Sequence, residues 1–267
     1  MTALAARRRH PLALVLLIAL GLLATGAAYA AFAPKPASAA TASADDIAAG
    51  KKLFLANCAS CHGLNAAGSP ADNRGNMAGP SLIGVGAASV DFQVGTGRMP
   101  MAEPGPQAPE AKKRFSGEET SQLAAYVGSL APGPGVPDAQ YTSATAGNPA
   151  LGGDIFRTNC AMCHNYAGAG GALTRGKYAP PLKDTSPKHI YEAMLTGPQS
   201  MPVFNDKNIT PENKQDVIAY LQTLQSEPNQ GGASLGDLGP VPEGLFAWLI
   251  GLGALIGCAV WLGSKAA

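Results

Sequence analysis

Two pentapeptides, Cys58-Ala-Ser-Cys61-His62 and Cys160-Ala-Met-Cys163-His164, each set two thiols and an imidazole within one turn of chain. Cys-x-x-Cys-His is the attachment pattern of c-type haem. The thiols add across the two vinyl groups of a porphyrin, and the histidine that follows is held beneath the iron as its proximal ligand. A redox dithiol has no need of a trailing histidine, and a zinc site gathers four clustered ligands. The pattern predicts two covalently attached haem c groups, on Cys58, Cys61 and His62 and on Cys160, Cys163 and His164.

Each iron then needs a sixth ligand or an open face. The chain has four histidines, at 10, 62, 164 and 189. His10 precedes an apolar run, 62 and 164 are the proximal pair, and His189, the one alternative ligand for the second iron, reads as a solvated residue on a helix. Met99 and Met201 are the candidates, each 37 residues after its own histidine and each followed by proline; Met101 is a local rival to the first. A thioether opposite imidazole favours ferrous iron and fills the coordination sphere. That chemistry is electron transfer, with no site for a small substrate such as peroxide. The other ring nitrogen of each proximal histidine wants an acceptor. Pro80 and Pro180 lie between histidine and methionine in each copy, and a proline carbonyl in a rigid loop would serve. Many loops contain proline, so spacing alone says little here.

The elements that must position these groups repeat as well. A shift of 102 residues superposes the cysteine motifs and also Gly50 on Gly152, Phe54 on Phe156, Asn57 on Asn159 and Met99 on Met201. Further on, Leu123–Val127 echoes Val217–Leu221 at a shift of 94, so the first copy carries eight extra residues within Met101–Phe115. One supersecondary unit is used twice. Ser43 and Asp46 can cap a helix running to about Asn57, with Ile47, Gly50 and Phe54 on one face. A mid-helix glycine costs about 1 kcal/mol of propensity; its recurrence predicts a helix crossing closely over it. The partners are the terminal helices, Ser116–Leu130 and Thr210–Gln225, which bring Tyr126 and Tyr220 to the crossing. The eight extra residues read either as a plain surface insertion, since loops tolerate added length cheaply, or, because they follow a ligand methionine, as a segment at the exposed haem edge of the first domain that faces an outside partner.

At 267 residues the chain can hold two domains of this size and their connections. Its formal charge is +1, and the two domains, 46–131 and 147–225, carry seven basic with seven acidic and seven with six residues respectively. That balance argues against nucleic acid and weakens the case for a diffusing shuttle with a charged docking face. Arg7-Arg8-Arg9 precedes an apolar run from Leu12 to Phe32, long enough at about 1.5 Å per residue for a hydrocarbon core of roughly 30 Å. Residues 1–33 are therefore a membrane anchor or a signal segment, Ala28-Tyr29-Ala30 resembling a cleavage site. A second run, 245–262, has Trp248 and Trp261 near its ends and Lys265 beyond, as a C-terminal transmembrane helix should. Within it, Gly253-x-x-x-Gly257 offers a smooth packing face and Cys258 is a small apolar residue. The arginines and Lys265 place both haem domains on the extracytoplasmic side. Pro34–Ala42, Ala131–Gly147 and Ser226–Pro242 read as linkers, the middle one a semi-stiff connector.

On the glycine–phenylalanine helix faces, the haem motifs, the Gly79-Pro80 and Pro180-Pro181 loops, the Met-Pro pairs and the tyrosine helices, the chain resembles two tandem class I cytochrome c domains, an all-α fold. With its C-terminal span, the layout is similar to that of the dihaem cytochrome c subunits of actinobacterial menaquinol–cytochrome c reductases (cytochrome bcc complexes). The dihaem subunit of cbb3-type oxidases differs in being anchored from its N-terminal side. The resemblance implies that Pro80 and Pro180 accept a hydrogen bond from the proximal histidines. It also implies a cell-membrane electron carrier within a translocase complex, beside a cytochrome b subunit, taking electrons from a Rieske iron–sulfur subunit and passing them to an aa3-type oxidase. The alternatives are a dihaem subunit of another dehydrogenase or oxidase and a dihaem peroxidase, which would need an open or displaceable iron position. A purely structural anchor leaves two complete haem sites unexplained.

Overall fold

The computed structural model describes residues 11–32, 42–70, 79–103, 105–226, 235 and 240–265. Arg7–Arg9, most of the Pro34–Ala42 and Ser226–Pro242 linkers, and Pro104 of the insertion lie outside them. The chain divides into two units, Met1–Ser38 and Ala39–Ala267. In the first, helix α1 (Pro11–Phe32) is apolar on every face, with no charged residue in its first or last turn.

In the second unit the first cytochrome-like copy starts with the helix whose cap the sequence predicts. Helix α2 (Ala44–Asn57) begins at Ser43, whose hydroxyl accepts from Asp46 N at 3.0 Å. A single turn, α3 (Ala59–His62), carries the first motif. Helix α4 (Gly86–Gly95) follows, and α5 (Gly117–Leu130) closes the copy, its N-terminus held by a reciprocal capping box between Ser116 and Glu119. The second copy repeats the order: α6 (Pro149–Asn159), α7 (Ala161–His164), α8 (Pro187–Thr196) and α9 (Pro211–Ser226). Two short antiparallel strands, Gly171–Ala172 and Tyr178–Ala179, close the loop after α7; an isolated Ser69–Gly79 bridge does the same in the first copy.

Helix α2 packs on α5, and α6 on α9. The glycines are at both crossings. A Cβ on Gly50 would fall inside the Gln122 carbonyl and 2.9 Å from Tyr126 Cβ; one on Gly152 would fall inside the Asp216 carbonyl and 2.8 Å from Val217 N. Only a residue without a side chain lets these backbones meet. The aromatic pairs repeat too, Phe54 with Tyr126 at 5.3 Å between ring centroids and Phe156 with Tyr220 at 5.5 Å. Phe54 and Phe156 anchor the two buried apolar clusters.

The connector between the copies is not a free spacer. Pro134 O accepts from Ala88 N at 3.1 Å on the first copy. On the second, Gln215 Nε2 donates to the carbonyls of Gln140 and Ser143. Two 3-10 turns, Ala139–Thr142 and Ala144–Ala146, lie between. The copies also touch directly, α4 against α8. Helix α10 (Pro240–Lys265) is long and apolar enough to cross a membrane, and its side chains are exposed.

Candidate haem sites

The turn α7 explains how Cys160, Cys163 and His164 share one face. Cys163 N and His164 N both donate to Cys160 O, at 3.1 and 2.9 Å. In α3, Cys61 N and His62 N donate to Cys58 O at the same two distances. Both thiols and the imidazole therefore leave a single tight turn in each copy.

His62 Nδ1 lies 2.8 Å from Pro80 O, and His164 Nδ1 lies 3.0 Å from Pro180 O. A carbonyl only accepts, so Nδ1 carries the proton and donates, which leaves Nε2 with its lone pair free for a metal. The proline loops are themselves tied down: Leu82 N donates to Ala66 O and Leu182 N to Gly168 O, both at 2.8 Å. Burial pushes the His164 pKa down, against the opposing effect of the Pro180 carbonyl, so the imidazole is held neutral. Burial raises the Cys58 and Cys160 thiols to about 11, each helped by the other cysteine of its motif. Such thiols are poorly suited to a thiolate metal site.

One cavity gathers Cys160, Cys163, His164 and Met201 against an apolar floor that includes Phe156, Ile190, Met194 and Leu221. Imidazole and thioether share a largely apolar cavity, with the two thiols also lining it. That donor set fits a covalently held haem. Met201 is carried by a braced loop: its N donates to Pro198 O at 3.0 Å, and Phe204 N to Met194 O at 2.8 Å. The loop is fastened further on by Lys214, wholly buried, whose Nζ reaches Asp206 Oδ1 at 2.7 Å and Ile209 O at 2.6 Å. In the first copy Met99 and Cys58 both pack on the cluster that contains Phe54, and Met99 N donates to Gln93 O at 2.9 Å.

Two sequence expectations need correction. His189 is not solvated: its side chain is 14% exposed, packed edge-on to Phe92 at 6.1 Å, with Nε2 3.9 Å from Asp91 Oδ2 of the other copy. The insertion does not stand free at the edge of the first domain either. Gln107 and the Tyr178 backbone exchange two hydrogen bonds of 2.9 Å. Ala108 is 2% exposed, and its N donates to Gln199 Oε1. The insertion is docked on the second copy.

The wall that sequence reasoning missed belongs to this docking. Phe92, Gly95, Thr96, Arg98, Gln107, Glu110 and Lys113, all from the first copy, line the cavity of the second. A hint was available in the failure of the repeat at these positions: at the 102-residue shift Arg98 falls on Ser200 and Phe92 on Met194.

A family profile described as "Cytochrome c" matches residues 47–131, and one described as "Cytochrome C oxidase, cbb3-type, subunit III" matches 147–221. Over nearly its whole length the chain is similar to two curated proteins, each named cytochrome bc1 complex cytochrome c subunit. That of Mycobacterium tuberculosis is 44% identical, over 97% of this chain and 92% of the relative. That of Corynebacterium efficiens is 42% identical, over 96% and 90%. A cbb3-type oxidase subunit of Sinorhizobium medicae is 32% identical over only 30% of this chain.

Proposed function

Since the chain belongs to the family of cytochrome bc1 complex cytochrome c subunits, we propose that it holds two covalent haem c groups and relays electrons from a Rieske iron–sulfur protein to an aa3-type oxidase. Cys58 with Cys61, and Cys160 with Cys163, form the thioether links. His62 and Met99 ligate one iron, His164 and Met201 the other, and Pro80 and Pro180 orient the imidazoles. Haem c supplies a one-electron ferric–ferrous couple. The protein's part would be to offer the iron an imidazole and a thioether against apolar walls, so that no small molecule is activated there. The quinol chemistry then belongs to a cytochrome b subunit of the same complex.

The observation that carries this reading is the repeated constellation: a histidine Nδ1 locked on a proline carbonyl at 2.8 and 3.0 Å, with a methionine 37 residues on in each copy. Helix α10 supports anchoring in the cell membrane, and the placement of both haem domains on the extracytoplasmic face rests on the positive charges of Arg7–Arg9 and Lys265. Alkaline carbonate should leave the full chain in the membrane.

The direct test is haem stoichiometry by pyridine haemochrome, together with the methionine-sulfur-to-iron charge-transfer band of the ferric protein. Two haems per chain are expected, and the band should fall by about half in each of Met99→Leu and Met201→Leu, as two equivalent thioether ligands require. One haem, or a band unmoved by either substitution, overturns the ligand assignment. Rieske and aa3 subunits should co-purify in mild detergent; a different oxidase or dehydrogenase in their place would assign the relay elsewhere.

A further inference from the structure

The cavity around Cys160, Cys163, His164 and Met201 has an uneven charge distribution. Among its described lining residues, the lysine and arginine side chains are Arg98 and Lys113, and both come from the first copy. The second copy supplies apolar groups, neutral polar groups, two imidazoles and one carboxylate, that of Asp184.

Arg98 is the buried one of the pair, 8% exposed. Its guanidinium stacks over Phe92, with Cζ 5.0 Å from the ring centroid. Its ion pair is with Glu110, at 3.5 Å, and Glu110 is itself 62% exposed. A guanidinium presents five N–H donors in a planar fork that suits a carboxylate. One long contact to a solvated carboxylate is the side-chain pairing of that fork among the described residues, so donors remain for a second carboxylate. Arg98 also has no counterpart in the repeat, whose second copy has Ser200 before its methionine.

A haem carries two propionate carboxylates on an otherwise apolar body. The geometry points to Arg98 of the first domain as the counter-charge of a propionate on the haem of the second domain, with Lys113 at the outer edge of the same site. Arg98 is thus a positioning residue that completes a cofactor site from outside its own domain, and docking of the two domains finishes the second haem pocket. The inference rests on the dihaem reading above.

The test uses the full-length chain in detergent, with haem content and spectroelectrochemical titration of wild type, Arg98→Gln and Arg98→Lys. A Met99→His background identifies the haems, because the first then titrates well below the second. Arg98→Gln should keep two haems, shift the second-domain haem to lower midpoint potential, and give that potential a pH dependence as the propionate loses its cation. Arg98→Lys should recover most of both changes. Unaltered second-haem potential and pH profile in Arg98→Gln overturn the inference, as does a shift confined to the first haem. Absence of haem from the second site in wild type overturns the dihaem reading instead.

Discussion

The carboxylate of Asp91 in the first domain and that of Glu192 in the second lie within 4.8 Å of each other, together with the His189 ring. Both are buried, Glu192 completely. Lys188 Nζ sits 2.6 Å from Asp91 Oδ2. Burial, reinforced by the Asp91 charge, pushes Glu192 up to about 10, so it is a neutral acid at physiological pH and can donate to Asp91. Burial pushes His189 down to about 4, against Asp91 and with Lys188, Lys113 and Arg98. The four-residue cluster is thus one anion, Asp91, one cation, Lys188, and two neutral groups.

The pH dependence follows from the signs. Glu192 has its pKa raised above the ordinary 4.5, so its contribution is complete below 4.5 and is lost as pH rises toward about 10. His189 has its pKa depressed from 6.5, so its contribution is complete above 6.5 and is lost as pH falls toward about 4. The two slopes offset between 4.5 and 6.5, and stability should decline on the alkaline side. Thermal melts of the full chain should show that decline, and Glu192→Gln should flatten it. An unchanged alkaline slope in the variant would assign the effect to other groups.

Gly50→Ala and Gly152→Ala should each destabilise their own domain by about 1–3 kcal/mol or more, the usual range for overpacking, because the new methyl meets backbone that cannot rotate away. Denaturant unfolding of the haem-loaded chain measures it. No loss, or a gain approaching the roughly 1 kcal/mol that helix propensity alone predicts for Gly→Ala, would mean the crossings relax easily.

Lys214→Ala should loosen the loop that carries Met201. Asp206 is half exposed and can rehydrate, so the loss should be about 1–3 kcal/mol, that of a charged hydrogen bond, rather than the 3–5 of a stranded buried charge. The sulfur-to-iron band of the second domain should weaken at lower temperature than in wild type. Melting of the two bands together would show that Lys214 acts on the fold generally and not on this loop.

Gln107→Ala removes both bonds to the Tyr178 backbone. Hydrogen exchange should quicken at Tyr178 and along α4 and α8, with α2 and α5 unaffected. Uniform protection would mean that α4 and α8 hold the domains together without the insertion.

What the sequence disclosed follows the repeat closely. The Gly50 and Gly152 crossings, the tyrosine helices and the thiol–imidazole turns all occur twice, and two occurrences with matched spacing mark a contact inside each copy. The features it hid are those with one occurrence. Asp91 falls on Ala193 at the repeat shift, Glu192 on Val90, and His189 on Ala87. A buried carboxylate or imidazole between domains has no periodicity to announce it, and each reads singly as a surface residue. The insertion misled for the same reason. Its Pro/Gly composition is that of an exposed loop, while the burial of Ala108 and the bonds of Gln107 depend on a chain segment some 70 residues away.

The pinned connector and the shared wall fix the distance between the two domains. Mobile carriers must find each other in solution, at a rate set by collision and tuned by salt. In the proposed relay the internal hop is between fixed stations, so it should be indifferent to dilution, viscosity and ionic strength. Any such sensitivity in turnover reports the outer contacts of the relay.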